Sequence, residues 1–111
     1  MKELFKLQAN VCKTMANPVR MAIIYALKEG EKTVSEMVES MGLTKSNISQ
    51  HLAVLKRAEM VRARREGTHI FYSMANPKII EACRLMREVL MEQLSEKQRL
   101  MDRFEEKNGA G

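Results

Sequence analysis

The sequence predicts a mainly α-helical fold closed by one small β-hairpin. Three observations predict it. Apolar residues recur at i, i+3 and i+4 along most of the chain. Asn-Pro, Thr-x-x-Glu and Gly punctuate that pattern where helices begin and end. The period changes from 3.6 to 2 only between Val61 and Met74.

The elements follow in order. Leu4, Leu7, Val11 and Met15, joined by Phe5 and Cys12, make residues 3–16 a first amphipathic helix. Asn17-Pro18 supplies an N-cap and a first-turn proline whose missing N–H costs nothing there. A second helix runs from Pro18 to about Glu29 and stops at Gly30. Thr33-Val34-Ser35-Glu36 is a capping box that starts a short third helix, ended by Gly42 as a left-handed cap. Thr44 or Ser46 can cap a fourth helix reaching Arg57, with Ile48, Leu52 and Leu55 on its core face. Val61 and Ala63 then alternate with Arg62 and Arg64. Arg65-Glu66-Gly67-Thr68 turns the chain, and His69, Phe71 and Ser73 alternate with Ile70, Tyr72 and Met74. Asn76-Pro77 repeats the cap, and a last helix spans 77–104, roughly 42 Å at 1.5 Å per residue. Residues 1–107 are read as a single domain and 108–111 as a fraying tail.

Composition narrows the function. A chain of 111 residues with 45% hydrophobic content fills one core, built from Leu, Ile, Val and Met because aromatics supply only 5%. The longest apolar run, Met21–Leu27, is far short of the roughly 20 residues that span a bilayer. The charged start Met1-Lys2-Glu3-Leu4-Phe5-Lys6 lacks the apolar stretch of a secretory signal, which points to a cytoplasmic protein without a membrane partner. Two cysteines, Cys12 and Cys83, are too few for a disulfide framework. No Ser-His-Asp set, paired carboxylates, Gly-rich phosphate loop or metal-ligand spacing is present, so no enzyme chemistry and no cofactor are expected.

The net charge of +5 is concentrated. Residues 45–72 carry Lys45, Lys56, Arg57, Arg62, Arg64 and Arg65 against Glu59 and Glu66, whereas residues 73–111 are balanced. Charge alone also fits a solvated face. The elements decide it: a short helix, a tight turn at Met41-Gly42-Leu43-Thr44, a polar-tipped helix and a basic hairpin make a helix-turn-helix over 34–57 with a wing over 61–74. The expected partner is double-stranded DNA.

In that arrangement Lys45, Ser46, Asn47, Ser49, Gln50 and His51 lie toward the start of the recognition helix. Amides bond bidentately to adenine, so Asn47 and Gln50 are assigned base contacts, with Ser46, Ser49 and Lys45 on phosphates or bases. Ser46 and Asn47 also have the chemistry of caps. His51 has the character of a helix-face hydrogen-bond partner, and Lys56 adds charge. Arg62 and Arg64 point to one face of the wing and Arg65 to the other. Arg65 and Thr68 near the tip are best placed for the flanking groove or backbone, with His69 beside them. One such domain reads too few bases to be specific, so a homodimer on a pseudo-palindrome is expected, formed through the helices at 3–16 and 77–104.

Three segments carry a family resemblance. Lys13-Thr14-Met15-Ala16-Asn17-Pro18-Val19-Arg20-Met21-Ala22-Ile23-Ile24 resembles the helix junction of the ArsR/SmtB winged-helix repressors. Ser46-Asn47-Ile48-Ser49-Gln50-His51-Leu52-Ala53-Val54-Leu55-Lys56 resembles their recognition helix, and Arg64-Arg65-Glu66-Gly67-Thr68-His69-Ile70-Phe71-Tyr72-Ser73-Met74 resembles their wing. The resemblance covers roughly residues 5–95 and implies a dimeric repressor released from its operator by a metal or an oxidant.

The family's familiar sensing sites do not transfer. Its Cys-x-Cys position reads Thr33-Val34-Ser35-Glu36-Met37-Val38 here. Its last-helix zinc positions look like Ala75, Pro77, Glu88 and Met91, which cannot make a tetrahedral shell. Its sulfide-responsive cysteine positions look like Tyr25 and Met91. Cys12 and Cys83 remain, on the helices that build the family's dimer. A disulfide or persulfide formed there by an oxidant or a reactive sulfur species would shift helix packing. Arsenite or another thiophilic metalloid held by the same thiols is an alternative. Others are two structural cysteines without an effector role, and a winged-helix protein-assembly module.

Overall fold

Side-chain caps begin the helices where the sequence places them. The computed structural model describes residues 1–109. Helix α1 spans Lys2–Met15 and α2 spans Pro18–Ala26. Between them Asn17 is extended, and its Oδ1 accepts the N–H of Val19 at 2.9 Å and of Arg20 at 3.1 Å. Beyond Ala26 the backbone tightens into a 3-10 turn, Leu27–Glu29, so the second helix is α-helical over less of its length than its pattern suggests. Helix α3, Val34–Met41, has the full capping box: Thr33 accepts from the Glu36 N–H at 3.2 Å, and Glu36 accepts from the Thr33 N–H at 3.0 Å. Those hydrogen bonds from Thr33 hold the Glu36 carboxyl below its usual range. Gly42 closes α3 at φ +67°, a conformation that a Cβ would strain. Helix α4 spans Lys45–Arg57, and its cap is Thr44 rather than Ser46, with Thr44 Oγ1 accepting the Asn47 N–H at 3.1 Å.

The end of α4 uses a device that the sequence hides. The Met60 N–H reaches the Leu55 carbonyl at 2.9 Å and the Glu59 N–H reaches Lys56 at 3.0 Å, the paired bonds of a Schellman motif. Its left-handed position, normally glycine, is Glu59 at φ +60°. Both apolar partners of the motif, Leu55 and Met60, are buried and hold it. Glu59→Gly is therefore expected to stabilise the fold by up to about 1 kcal/mol, read as a higher urea midpoint with unchanged slope.

The hairpin becomes a three-stranded sheet. Strands β1 (Lys32–Thr33), β2 (Val61–Glu66) and β3 (His69–Met74) pair antiparallel in the order β1-β3-β2. Register sets Ala63 against Tyr72, Arg64 against Phe71 and Glu66 against His69. Gly67, at φ +62°, takes the first central position of a two-residue turn, as a type II′ hairpin requires. Strand β1 escapes the sequence pattern because two residues show no alternation, and one of them, Thr33, also caps α3.

The chain forms two compact units, Met1–Ile80 and the chain from Glu81 on. The first holds the core: Ile23 and Ile24 of α2, Leu27, Met37 of α3, Ile48, Leu52 and Leu55 of α4, then Met60 and Val61. It is aliphatic and methionine-filled, as composition requires. Helix α1 contributes no buried residue. Helix α5, Lys78–Gly109, begins in the first unit and makes up the described part of the second. It passes the expected end at Phe104, because Glu105, Glu106 and Lys107 favour helix although they extend no apolar stripe. The tail expected at 108–111 is thus helical to Gly109, and 110–111 lie outside the described residues. No helix among the described residues is long and apolar enough to cross a membrane.

Candidate nucleic-acid interface

Helix α4 buries Ile48, Leu52 and Leu55, and that fixes which residues can face a ligand. At 100° per residue the opposite stripe is Ser46, Ser49, Gln50, Ala53 and Arg57, and all of them are exposed. Lys45 and Lys56 flank it, also exposed. Ala53 and Arg57 escaped the sequence assignment, which concentrated on the polar N-terminal end. The signal was available, since both continue the helical period from Ser46. Ala53 offers a methyl-sized contact to thymine, and Arg57 offers a cation to phosphate.

Asn47 and His51 stand differently. Asn47 is half-buried beside the core, and its Oδ1 is enclosed with no hydrogen-bond partner among the described residues. Its carbonyl end therefore does not face outward with Gln50, and a bidentate adenine contact from Asn47 requires the side chain to rotate. His51, also half-buried, lies with Nδ1 3.4 Å from Arg20 Nη1. Arginine only donates, so in a hydrogen bond between them Nδ1 is the acceptor. Arg20 also donates from Nε to the Thr14 carbonyl at 2.5 Å, linking the end of α1 to the recognition helix.

On the wing, Arg62, Arg65, Thr68 and His69 are exposed. The His69 ring lies 6.4 Å from that of Phe71, tilted 55°. Arg64 is occupied within the chain. It donates to Glu31 through Nη2 at 2.5 Å and Nε at 3.2 Å, and to Glu66 through Nη1 at 2.6 Å. Its guanidinium sits 4.8 Å from the Phe71 ring centre. Hydrogen bonding to Arg64 holds the Glu31 carboxyl below the usual carboxylate range, and the two carboxylates raise Arg64 in turn. Among the described residues, Arg62 and Arg65 make no ion pair, so they are the arginines of the wing free to meet a polyanion.

Both cysteines are free. Cys12 is exposed on α1, and Cys83 on α5 is partly shielded. Burial pushes the Cys83 thiol up, against an opposing pull from Arg87, so it stays protonated at neutral pH and reacts slowly. Among the described residues, no group of three or more His, Cys, Asp or Glu side chains could hold a metal ion.

The architecture and this surface agree with known proteins. The model of a family described as bacterial regulatory protein, arsR family, matches residues 17–63. An uncharacterised HTH-type transcriptional regulator of Mycobacterium tuberculosis, Rv0081, is 44% identical over 95 residues, covering 85% of this chain and 83% of that protein. Its crystal structure superposes with a TM-score of 0.75 over 85% of this chain and 95% of that one, at 43% identity. The homodimeric winged helix-turn-helix DNA-binding domain of Mb0332 from Mycobacterium bovis gives a TM-score of 0.75 at 32% identity, covering 86% of this chain and 88% of that one. The transcriptional repressor BigR from Xylella fastidiosa gives 0.73 at 30% identity, covering 80% and 91%. With a polar stripe on α4, a basic wing beside it and these relatives, the chain belongs to the ArsR/SmtB family of DNA-binding transcription regulators, of winged helix-turn-helix form, and is not an enzyme.

Proposed function

We propose that the protein is a homodimeric repressor that reads a pseudo-palindromic operator and is released by thiol chemistry beginning at Cys12. The observation that carries the reading is the contrast between its surfaces. The exposed stripe of α4 and the wing are polar and basic, whereas α1 and α5 expose apolar stripes. Leu4, Leu7 and Val11 are 57%, 63% and 42% exposed, and Val89, Leu90 and Leu94 are 48%, 52% and 51% exposed. Apolar faces of that size are covered in a stable protein, and a second copy of the chain is the partner we infer for them. The relative from Mycobacterium bovis, itself homodimeric, supports the same assembly.

In the mechanism, two copies of α4 enter successive major grooves, with Ser46, Ser49 and Gln50 at base edges. Lys45, Lys56, Arg57, Arg62 and Arg65 neutralise phosphates, and Arg64 stays within the wing. Thr68 and His69 accompany the wing tip. Cys12, exposed on α1, meets the oxidant or polysulfide first, and Cys83 is the second, slower thiol of the switch. Modification of α1 changes how the two copies pack and so the separation of their recognition helices.

The test is binding to duplex DNA from upstream of the protein's own coding sequence. The protein is reduced, treated with tetrasulfide, or treated with arsenite, as wild type and as Cys12→Ser. Reduced protein binds with an affinity that falls steeply with salt, on the order of 10³-fold between 50 and 200 mM. Tetrasulfide weakens the wild type at least about 10-fold and leaves Cys12→Ser unchanged. Equal affinities in both redox states would remove the thiol switch and leave DNA binding in place. Release by arsenite alone would transfer the effector role to a metalloid.

A further inference from the structure

We propose that Glu31 is a positioning residue for DNA binding: through Arg64 it holds the wing in its DNA-contacting geometry. This acidic side chain therefore strengthens binding to a polyanion. The inference rests on DNA contact by the wing, and it is independent of the operator and of the thiol switch.

The geometry spans the whole sheet. Glu31 precedes β1, whereas Arg64 lies on β2, and β3 runs between them. The guanidinium crosses that gap above Phe71, which pairs with Arg64 in the β2–β3 register and with Thr33 in the β1–β3 register. Two of its nitrogens engage the two oxygens of Glu31, and the third engages Glu66 at the end of β2. A planar guanidinium held on three nitrogens and over a ring has one orientation, which lysine could not reproduce. The segment Glu31-Lys32-Thr33 also leads directly into the capping box of α3. The bridge thus joins the wing hairpin to the start of the helix-turn-helix, alongside the short β1–β3 ladder and the packing of β3 on α3.

A single exposed ion pair stabilises a fold very little, and this pair is exposed on both sides. Its effect is on geometry. A two-stranded hairpin twists readily, and the position of Arg65 and Thr68 at its tip depends on that twist. Arg64 is meanwhile neutralised by two carboxylates, so it adds no net attraction for phosphate. Simple electrostatics gives the opposite sign for Glu31: removing an acid beside a DNA-binding face raises affinity.

The test compares Glu31→Gln with Glu39→Gln, which makes the same charge change at an exposed α3 residue without an ion pair. The probe is a labelled duplex of arbitrary sequence, roughly 30 base pairs, at low salt, where binding needs no operator. Glu31→Gln is expected to bind about 5-fold more weakly than wild type, with a shallower salt dependence as wing contacts are lost. Glu39→Gln is expected to bind equally or slightly more tightly. Arg64→Ala should bind at least as weakly as Glu31→Gln, because it also frees Glu66 and loses a positive charge. The double variant should be no worse than Arg64→Ala, since the Glu31 effect acts through Arg64. Thermal melting of each variant separates this from lost folding, because an exposed pair leaves the melting temperature nearly unchanged. Equal or tighter binding by Glu31→Gln, or additive losses in the double variant, would overturn the proposal and make Arg64 a direct phosphate contact.

Discussion

Leu52→Ala is expected to destabilise the protein by about 2–5 kcal/mol and to remove DNA binding at physiological temperature. Leu52 is fully buried, between Ile48 and Leu55 on the core face of α4, where that helix packs against α2 and α3. The substitution leaves a cavity in a small core that has no aromatic residue to relax into it. Urea denaturation reads the loss as a lower midpoint. Total stabilities of such domains are about 5–15 kcal/mol, so one cavity removes a large share. Ala53→Ser, one residue along but exposed, is the control and should leave the midpoint within about 0.5 kcal/mol. A Leu52→Ala midpoint equal to wild type would mean that α4 is not anchored by this face.

Leu90→Arg is expected to convert the proposed dimer to a monomer. Leu90 is half-exposed on the α5 stripe, so a single copy gains nothing by burying it. A guanidinium placed between two copies lacks a partner, and an unpaired buried charge costs about 3 kcal/mol or more, over 100-fold in dimer affinity. Sedimentation should show a single chain of 12.8 kDa instead of twice that mass. Losing one half-site is expected to remove about half the specific increment, roughly 2–5 kcal/mol, in operator affinity. Ser95→Arg puts the same charge on another face of α5 and should remain dimeric. A dimeric Leu90→Arg variant would move the interface elsewhere.

Much of the fold is legible residue by residue, because caps and turns are local. Asn17, Thr33 and Gly42 act on the backbone within a few positions, so their effect is written in the neighbouring residues. The same holds for the aliphatic face of α4 and for the concentration of the excess positive charge in 45–72. What escaped was short or conformationally unusual. Strand β1 is too brief to show a period, and Glu59 adopts a left-handed backbone that only the packing of Leu55 and Met60 enforces.

The candidate interface divides in the same way. Helical period alone puts Ser46, Ser49 and Gln50 on the exposed side of α4, and the same period carries Ala53 and Arg57. The half-buried position of Asn47 is not legible in that way, because its angle on the helix puts it at the margin of the core, and the depth of that margin depends on what packs there. The wing arginines look equivalent in a charge count. They are not equivalent in space, since strand order brings Glu31 across 33 residues to Arg64 alone.

The sequence by itself determined the helices, their capped starts, the hairpin and the location of the excess charge, all of which depend on neighbours a few residues away. The tertiary structure decided which polar groups remain available for DNA. An amide at the edge of a core and a guanidinium between two carboxylates are set by contacts between distant segments, and only the folded chain brings those segments together.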